Sequence, residues 1–294
     1  MIEAARLKMI PRLKEIWKNC FHDEDEYIDF YYRERFPQVE TLVNTVNGVP
    51  AAMVTLVPGK LAAGDTTYQL RYVYAVATDP VYQGRGLASE LMNEIKKRVG
   101  NEYDAVFLVP ASQGLFDYYA KFGYKTVCEK KVVSIGVNEV VDETLDSENS
   151  RSSCEEECSQ EIQFESLSAS DLYQMREQAF RMLGFVEWDI QALDYLIREY
   201  ELCGGKAVKV KMGNEAGSLF YYYSIEHKVL YIKETSLGLN QLKLVMKKLA
   251  KDFEIEHFEV IIPATSKPNG ISTPFVMAYG EGISHLQYAN FVKD

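Results

Sequence analysis

The chain has 294 residues, of which 47% are hydrophobic, so it is long enough for two lobes that each bury a core. A formal net charge of −11 and the lack of a dense lysine and arginine cluster argue against a phosphate-backbone binder, so we expect no nucleic-acid partner. No apolar run approaches the ~18 residues of a membrane span, and the first residues carry scattered charges instead of the apolar core of a secretory signal. We therefore expect a cytoplasmic protein that binds no membrane.

The cysteines and histidines show no pattern that would build a metal site or a disulfide framework. There are five cysteines, an odd number without regular spacing, and four histidines without a ligand spacing such as HExxH. Cys154 and Cys158 lie four residues apart, which leaves a zinc pair open, but reduced thiols are the favoured interpretation. The sequence therefore predicts no metal.

The first half of the chain shows the pattern of a mixed α/β lobe. In chain order the predicted elements are helices over 10–20 and 24–35, a hairpin turning at Asn47-Gly48, a strand over 67–78, a helix over 87–99, a strand over 105–109 and a helix over 113–121. Asn-Gly is typical of tight hairpin turns, and apolar residues at i, i+4 spacing mark the core face of the third helix. A strand, a turn and a helix thus stand at the centre of the lobe.

An acidic segment divides the chain. Residues 138–161 hold nine acidic residues and one arginine, with few side chains that could enter a core. Such a composition predicts a solvated linker or loop. It separates an N-terminal lobe, residues 1–137, from a C-terminal lobe, residues 162–294.

The two lobes look like distant copies of each other. Apolar runs over 104–112 and 258–266 each contain Pro-Ala, and the two prolines are 153 residues apart. Helix patterns over 87–99 and 239–253 precede these runs at nearly the same offset, 152 residues. Matching order and spacing indicate a duplicated lobe.

The turn after the central strand carries the strongest chemical signal. Gly84 and Gly86 permit backbone angles that other residues avoid, and a helix begins directly after them. A helix N-terminus presents N–H groups that attract an anion, above all a phosphate, and Arg85 adds a positive charge. The pattern is neither a Walker loop nor a full GxGxxG, so a plain strand-to-helix turn is the alternative.

The motif Gln83-x-x-Gly86-x-Ala88 resembles the acyl-CoA loop of the GNAT acetyltransferases, Q/R-x-x-G-x-G/A. Downstream, LFDYYAKFGYK over 115–125 is similar to that family's helix and closing turn, Y-x-K-x-G-F/Y, which begins here at Tyr119. These two matches and their spacing carry the resemblance.

The resemblance covers nearly all of residues 1–130, since the segment over 17–36 is also similar to the paired first helices of a bacterial GNAT subgroup. It implies an α/β fold with a mixed sheet, the GNAT acyl-CoA acyltransferase fold, in tandem with a second, degenerate GNAT-like lobe. The arrangement is distantly similar to Eis-type proteins without their sterol-carrier domain.

The resemblance also implies where acetyl-CoA binds. The end of the central strand would offer backbone groups to the pantetheine arm, and the turn would hold the pyrophosphate. The implied contacts are Val76, Ala77, Thr78, Gln83, Gly84, Arg85, Gly86, Leu87, Ala88 and Ser112. Ser112 departs from the family, which often has asparagine there, so it keeps a hydroxyl but loses an amide.

Tyr119 matches the family residue that commonly protonates the departing CoA thiolate, and we expect it to be the catalytic acid. The general base is left open among Glu26, Asp29 and a water relay. In Eis-type relatives the C-terminal carboxylate enters the site, and Asp294 is the candidate for that role here.

Four aromatic residues on the second predicted helix lie near the expected acceptor side: Tyr27, Phe30, Tyr31 and Tyr32. Aromatic residues at such spacing more often form core, and cation–π capture of an amine is the alternative.

These observations predict an acetyl-CoA-dependent N-acetyltransferase of bacterial type that acts on a primary amine of a small molecule or peptide. Transfer would be direct, within a ternary complex. The alternative function is a non-catalytic acyl-CoA-binding module that regulates a partner. In the second lobe only Gly238 stands where the first has its turn, so we expect that lobe to bind no CoA.

Overall fold

The computed structural model describes residues 1–63, 65–141, 161–266 and 269–289, which divide into two compact units. Unit 1 contains residues 1–129, 183–189 and 274–289, and unit 2 contains the remaining described residues up to 273. Because the chain enters each unit more than once, the lobe boundaries at 137 and 162 stay a prediction. Residues 142–160 of the expected acidic linker lie outside the described residues, as does Asp294.

Unit 1 contains four α-helices among the described residues: α1 (Ile10–Phe21), α2 (Asp25–Glu34), α3 (Leu87–Arg98) and α4 (Gln113–Ala120). Its strands are β1 (Ile2–Ala4), β2 (Glu40–Val46), β3 (Val49–Ala63), β4 (Thr66–Thr78), β5 (Ala105–Leu108), the first residues of β6 (Lys125–Gly136), β8 (Val186–Glu187) and the last residues of β13 (Ile271–Gly280). The helices and strands expected from the sequence agree with these bounds to within a residue or two.

The sheet of unit 1 runs in the order β1, β2, β3, β4, β5, β13, and β8 pairs with β3. Its strands are antiparallel except for β4 and β5, which run parallel over Leu70–Tyr72 and 105–107. β13 continues the sheet beyond β5, with Met277 opposite Leu108. A strand from late in the sequence therefore completes a sheet that the first half of the chain begins.

Both faces of this sheet are covered. On β4, Val73 belongs to a core cluster that includes Leu91 and Ile95 of α3. The next residue, Tyr74, points to the opposite face, where its ring centroid lies 5.8 Å from that of Trp17 in α1. β4 is thus held from both sides up to the point where its regular pairing ends.

Unit 2 is built from helices α5 (Val137–Val141), α6 (Ala169–Phe180), α7 (Ile190–Leu202) and α8 (Leu239–Asp252), with strands β7 (Ile162–Ser166), β9 (Lys206–Met212), β10 (Glu215–Ser224), β11 (Val229–Thr235) and β12 (His257–Pro263). Its sheet runs in the order β6, β12, β11, β10, β9, β7. Strands β11 and β12 are parallel and flank α8, as β4 and β5 flank α3 in unit 1. The strand–helix–strand arrangement is therefore present twice, as the repeat predicted.

No helix in the described part of the chain is long and apolar enough to cross a membrane. Among the same residues, no three or more histidine, cysteine, aspartate or glutamate side chains are grouped so that they could hold a metal ion.

Candidate active site

The central strand β4 stops pairing with β5 and contains a β-bulge before it ends. Its pairing with β5 stops at Tyr72. Further along, the register with β3 shifts, so that Ala75 and Val76 together oppose one residue of β3. Ala75 has φ = 50°, a conformation uncommon outside glycine that is maintained only where the surroundings enforce it. The bulge takes Val76 out of the regular ladder with β3.

The turn that follows contains the two predicted glycines in left-handed conformations. Gly84 has φ = 73° and Gly86 has φ = 78°. A Cβ added to either residue would meet no atom within 4 Å. The backbone conformation, not crowding, therefore requires glycine here, and the space beside the turn is open.

Gly86 is also the residue that caps the start of α3. It makes no side-chain capping bond, although the helix ladder begins normally with the Glu90 N–H donating to the Gly86 carbonyl at 2.9 Å. The N–H groups of Leu87, Ala88 and Ser89 precede this first ladder bond. Such a helix start, next to an exposed Arg85, suits an anionic ligand.

The carbonyl of Thr78, at the end of β4, accepts two bonds from the chain itself. The Gln83 amide donates to it at 3.2 Å and the Cys20 thiol at 3.3 Å. A ligand amide that used this carbonyl would have to share it or displace Gln83. Cys20 was not found by sequence reasoning, because its contact comes from α1, 58 residues earlier.

Burial raises the pKa of the Cys20 thiol, and the nearby Asp79 carboxylate raises it further. The thiol is therefore a neutral hydrogen-bond donor and a poor nucleophile.

Tyr119 is buried in α4, with 7% of its surface exposed. Burial, and secondarily the neighbouring Tyr118, raises its pKa to about 12. Its ring packs edge-on against Tyr118 at 5.2 Å, and no hydrogen bond of the described residues involves its hydroxyl. The Tyr119 hydroxyl is thus protonated at neutral pH, and it donates to no acceptor among the described residues.

The neighbouring Tyr118 has a different environment. Its hydroxyl lies 3.4 Å from Ser89 Oγ in the first turn of α3, so it links α4 to that turn. Ser112 starts α4 as its N-terminal cap; its side chain makes no capping bond and is exposed.

The aromatic residues of α2 are core. Tyr31 is 1% exposed and shares a 3.0 Å hydrogen bond with Thr55, and the Tyr27 hydroxyl lies 3.0 Å from that of Tyr74. Phe30 and Tyr32 are buried as well. The core interpretation of this group is confirmed.

The two candidate bases on α2 are both exposed. Glu26 lies at the surface, and Asp29 pairs with Lys14 at 2.6 Å. Neither is held by buried partners of the kind that tune a catalytic carboxylate.

The comparison with known families agrees with this geometry. The family model of the acetyltransferase (GNAT) domain matches residues 2–127, which include β4, the glycine turn, α3 and α4. Residues 2–127 are therefore similar to a GNAT acetyltransferase domain. No curated protein sequence matches the chain significantly.

Solved structures share the fold of nearly the whole chain. A probable N-acyltransferase from Enterococcus faecalis V583 has a TM-score of 0.75 at 15% identity, over 96% of this chain and 72% of its own. A GCN5-related N-acetyltransferase from Anabaena variabilis has a TM-score of 0.72 at 14% identity, over 95% and 72%. Eis1 from Mycobacterium abscessus has a TM-score of 0.68 at 12% identity, over 96% and 74%. The expected α/β fold with a large mixed sheet is confirmed, and the similar structures cover most of the chain, which is consistent with tandem GNAT-like lobes.

At the corresponding helix start of unit 2, the described residues form no turn with left-handed glycines. Gly238, which caps α8, has φ = −66°, and its N–H donates to the Gln241 side chain at 2.8 Å. The Thr235 hydroxyl accepts from the Leu237 N–H at 3.1 Å and donates to the Ser218 carbonyl at 2.9 Å. Side chains of the chain itself thus accept from the N–H groups of Leu237 and Gly238, directly before α8.

Proposed function

We propose that this chain is an N-acetyltransferase that moves an acetyl group from acetyl-CoA to a primary amine of a small molecule or peptide. The observation that carries the proposal is one continuous feature of unit 1. β4 parts from β5, bulges at Ala75, and leads through two left-handed glycines to an uncapped helix start. The GNAT domain match over residues 2–127 supports the same activity.

The residues present fit acyl-CoA. Pantetheine is a chain of amides, which can extend the hydrogen-bond ladder of a strand edge such as Val76–Thr78. The pyrophosphate is an anion, and the N–H groups of Leu87 and Ala88 suit it. The exposed Arg85, which donates to the Val81 carbonyl at 3.3 Å, adds positive charge beside them. The open space beside both glycines leaves room for the ligand's close approach.

The transfer forms a C–N bond and breaks the thioester C–S bond, with the electron pair leaving on sulfur. The Val76 N–H would stabilise negative charge on the carbonyl oxygen. Tyr119, whose hydroxyl is protonated at neutral pH, donates its proton to the sulfur. Because Glu26 and Asp29 are exposed, we assign removal of the amine's proton to water.

We propose that transfer is direct, within a ternary complex. An acyl-enzyme intermediate would need a thiolate, but the Cys20 thiol has a raised pKa and donates to the Thr78 carbonyl. Burial raises the pKa of Cys128 as well, to about 11. Unit 2 would bind no acyl-CoA, because Gly238 lacks a left-handed φ and its N–H is bonded to the Gln241 side chain.

The test is release of CoA thiol from acetyl-CoA with a panel of amines, for the wild type, Tyr119→Phe and Tyr124→Phe. Tyr124 is a matched control from the same motif, since its hydroxyl is buried in the core without a partner. We expect Tyr119→Phe to lower kcat by roughly 10²-fold, the scale of general acid catalysis, and Tyr124→Phe to leave it unchanged.

An unchanged rate in Tyr119→Phe would contradict the proton-donor role. Acetyl-CoA binding without turnover of any amine would favour the alternative, a regulatory acyl-CoA-binding module.

A further inference from the structure

A partly buried ion pair joins Arg12 of α1, whose side chain is 25% exposed, to Asp79 at the start of the glycine turn. Asp79 follows β4 directly and is 4% exposed. Its carboxylate accepts hydrogen bonds from the Arg12 guanidinium and, at 3.0 Å, from the Val81 N–H. None of these three residues is among the expected acyl-CoA contacts.

The backbone of Asp79 is anchored as well. Its N–H donates to the Ala51 carbonyl at 2.9 Å, and its carbonyl accepts from the Tyr82 N–H at 2.8 Å. Arg12 also donates to the neighbouring Pro50 carbonyl at 3.2 Å. Side chain and backbone together tie the first residues of the turn to α1 and β3.

The anchor lies directly before the exposed part of the turn. Residues 83–86 are exposed, and two of them are glycines, which have more backbone freedom than any other residue. A buried carboxylate whose guanidinium partner is removed becomes an uncompensated charge. Loss of Arg12 should therefore also disturb the position of Asp79. Asp79 is thus fixed directly before the exposed residues that lead to the start of α3.

We propose that Asp79, held by Arg12, is a positioning residue for acyl-CoA: it fixes the turn so that the first N–H groups of α3 meet the pyrophosphate. This inference rests on the proposed function. Neither residue needs to touch the thioester, so their loss should weaken binding of acetyl-CoA and leave the chemical step intact.

The experiment is calorimetric titration of acetyl-CoA into the wild type, Asp79→Asn, Arg12→Gln and the double variant, with KM and kcat measured in parallel. Glu40→Gln is the matched control, since Glu40 pairs with Arg98 at 2.8 Å and joins β2 to α3 away from the turn. Amide hydrogen exchange of residues 79–86 reports the order of the turn independently of activity.

Each single variant should weaken acetyl-CoA binding by roughly ten-fold, as loss of a hydrogen bond to a charged group does, with kcat within about two-fold of the wild type. The double variant should bind no more weakly than the weaker single variant, because the two residues act as a unit. Exchange over 79–86 should quicken, and Arg12→Lys, which keeps the charge, should restore part of the affinity.

Wild-type affinity in Asp79→Asn and Arg12→Gln would overturn the positioning role while the proposed function stands. Equal weakening by Glu40→Gln would also overturn it, since the effect would then be one of general stability. A wild type that binds no acetyl-CoA would instead refute the proposed function, and the positioning role with it.

Discussion

Gly86 and Gly114 allow one chemical change to be tested in two opposite backbone contexts. Gly86 has φ = 78° at the start of α3, and Gly114 lies in the first turn of α4 without a positive φ. In both, an added Cβ would meet no atom within 4 Å, so Gly→Ala changes backbone energetics without a clash.

The two substitutions should have opposite signs. Placing alanine in a left-handed conformation destabilises the folded state by about 1–2 kcal/mol. Alanine also lowers the conformational entropy of the unfolded chain, which offsets roughly 0.4–1 kcal/mol of this. Gly86→Ala should therefore destabilise unit 1 by about 0.5–1 kcal/mol. Gly114→Ala should stabilise it by up to about 0.5–1 kcal/mol, because alanine suits a helix better than glycine.

Urea unfolding of the wild type and both variants measures the difference, with unchanged m-values required for the comparison. A Gly86→Ala variant as stable as Gly114→Ala would refute the reasoning, since it would show that the turn does not need the left-handed conformation.

Three further changes test other parts of the account. Glu234→Gln should destabilise unit 2 by about 3–5 kcal/mol, because Arg176 and Glu234 form an ion pair whose side chains are only 4% and 1% exposed. Asp194→Asn, which removes an exposed ion pair, should change the free energy of unfolding by less than about 0.5 kcal/mol. Equal effects of the two variants in urea unfolding would contradict the burial argument. Tyr124→Phe should raise the free energy of unfolding by about 1 kcal/mol or more, since it removes a buried hydroxyl without a partner, and a loss of stability would show that the hydroxyl is bonded. The pKa of Tyr119 is raised from 10.0 to about 12, so its stabilising contribution is complete below pH 10 and is lost as the pH rises toward 12. Tyr119→Phe should therefore lose less stability than the wild type between pH 10 and pH 12. Identical plots of unfolding free energy against pH for the two proteins would contradict this.

The sequence predicted the strand, turn and helix of the site because each leaves a local mark. Gly84 and Gly86 are residues that left-handed turns select, and the apolar spacing of α3 shows its buried face. The parallel pairing of β4 and β5 follows from the helix between them.

Other features of the site leave no local mark. The bulge at Ala75 is carried by an alanine, which no turn preference identifies. The bond between Arg12 and Asp79 joins residues 67 positions apart. β13 completes the sheet of unit 1 from the far end of the chain. These are long-range contacts, which sequence periodicity does not report.

The most direct test of the central claim is calorimetric titration of acetyl-CoA into the wild type, Gly86→Glu and Gly48→Glu. Gly48 also has a left-handed φ, 77°, and open space around it, but lies in the β2–β3 hairpin, so it matches the strain of the first variant away from the turn. We predict binding at about one site per chain by the wild type and Gly48→Glu, and none by Gly86→Glu, whose carboxylate would stand where the pyrophosphate binds. Binding by Gly86→Glu equal to that of the wild type, or no binding by the wild type, would contradict an acyl-CoA site at this turn.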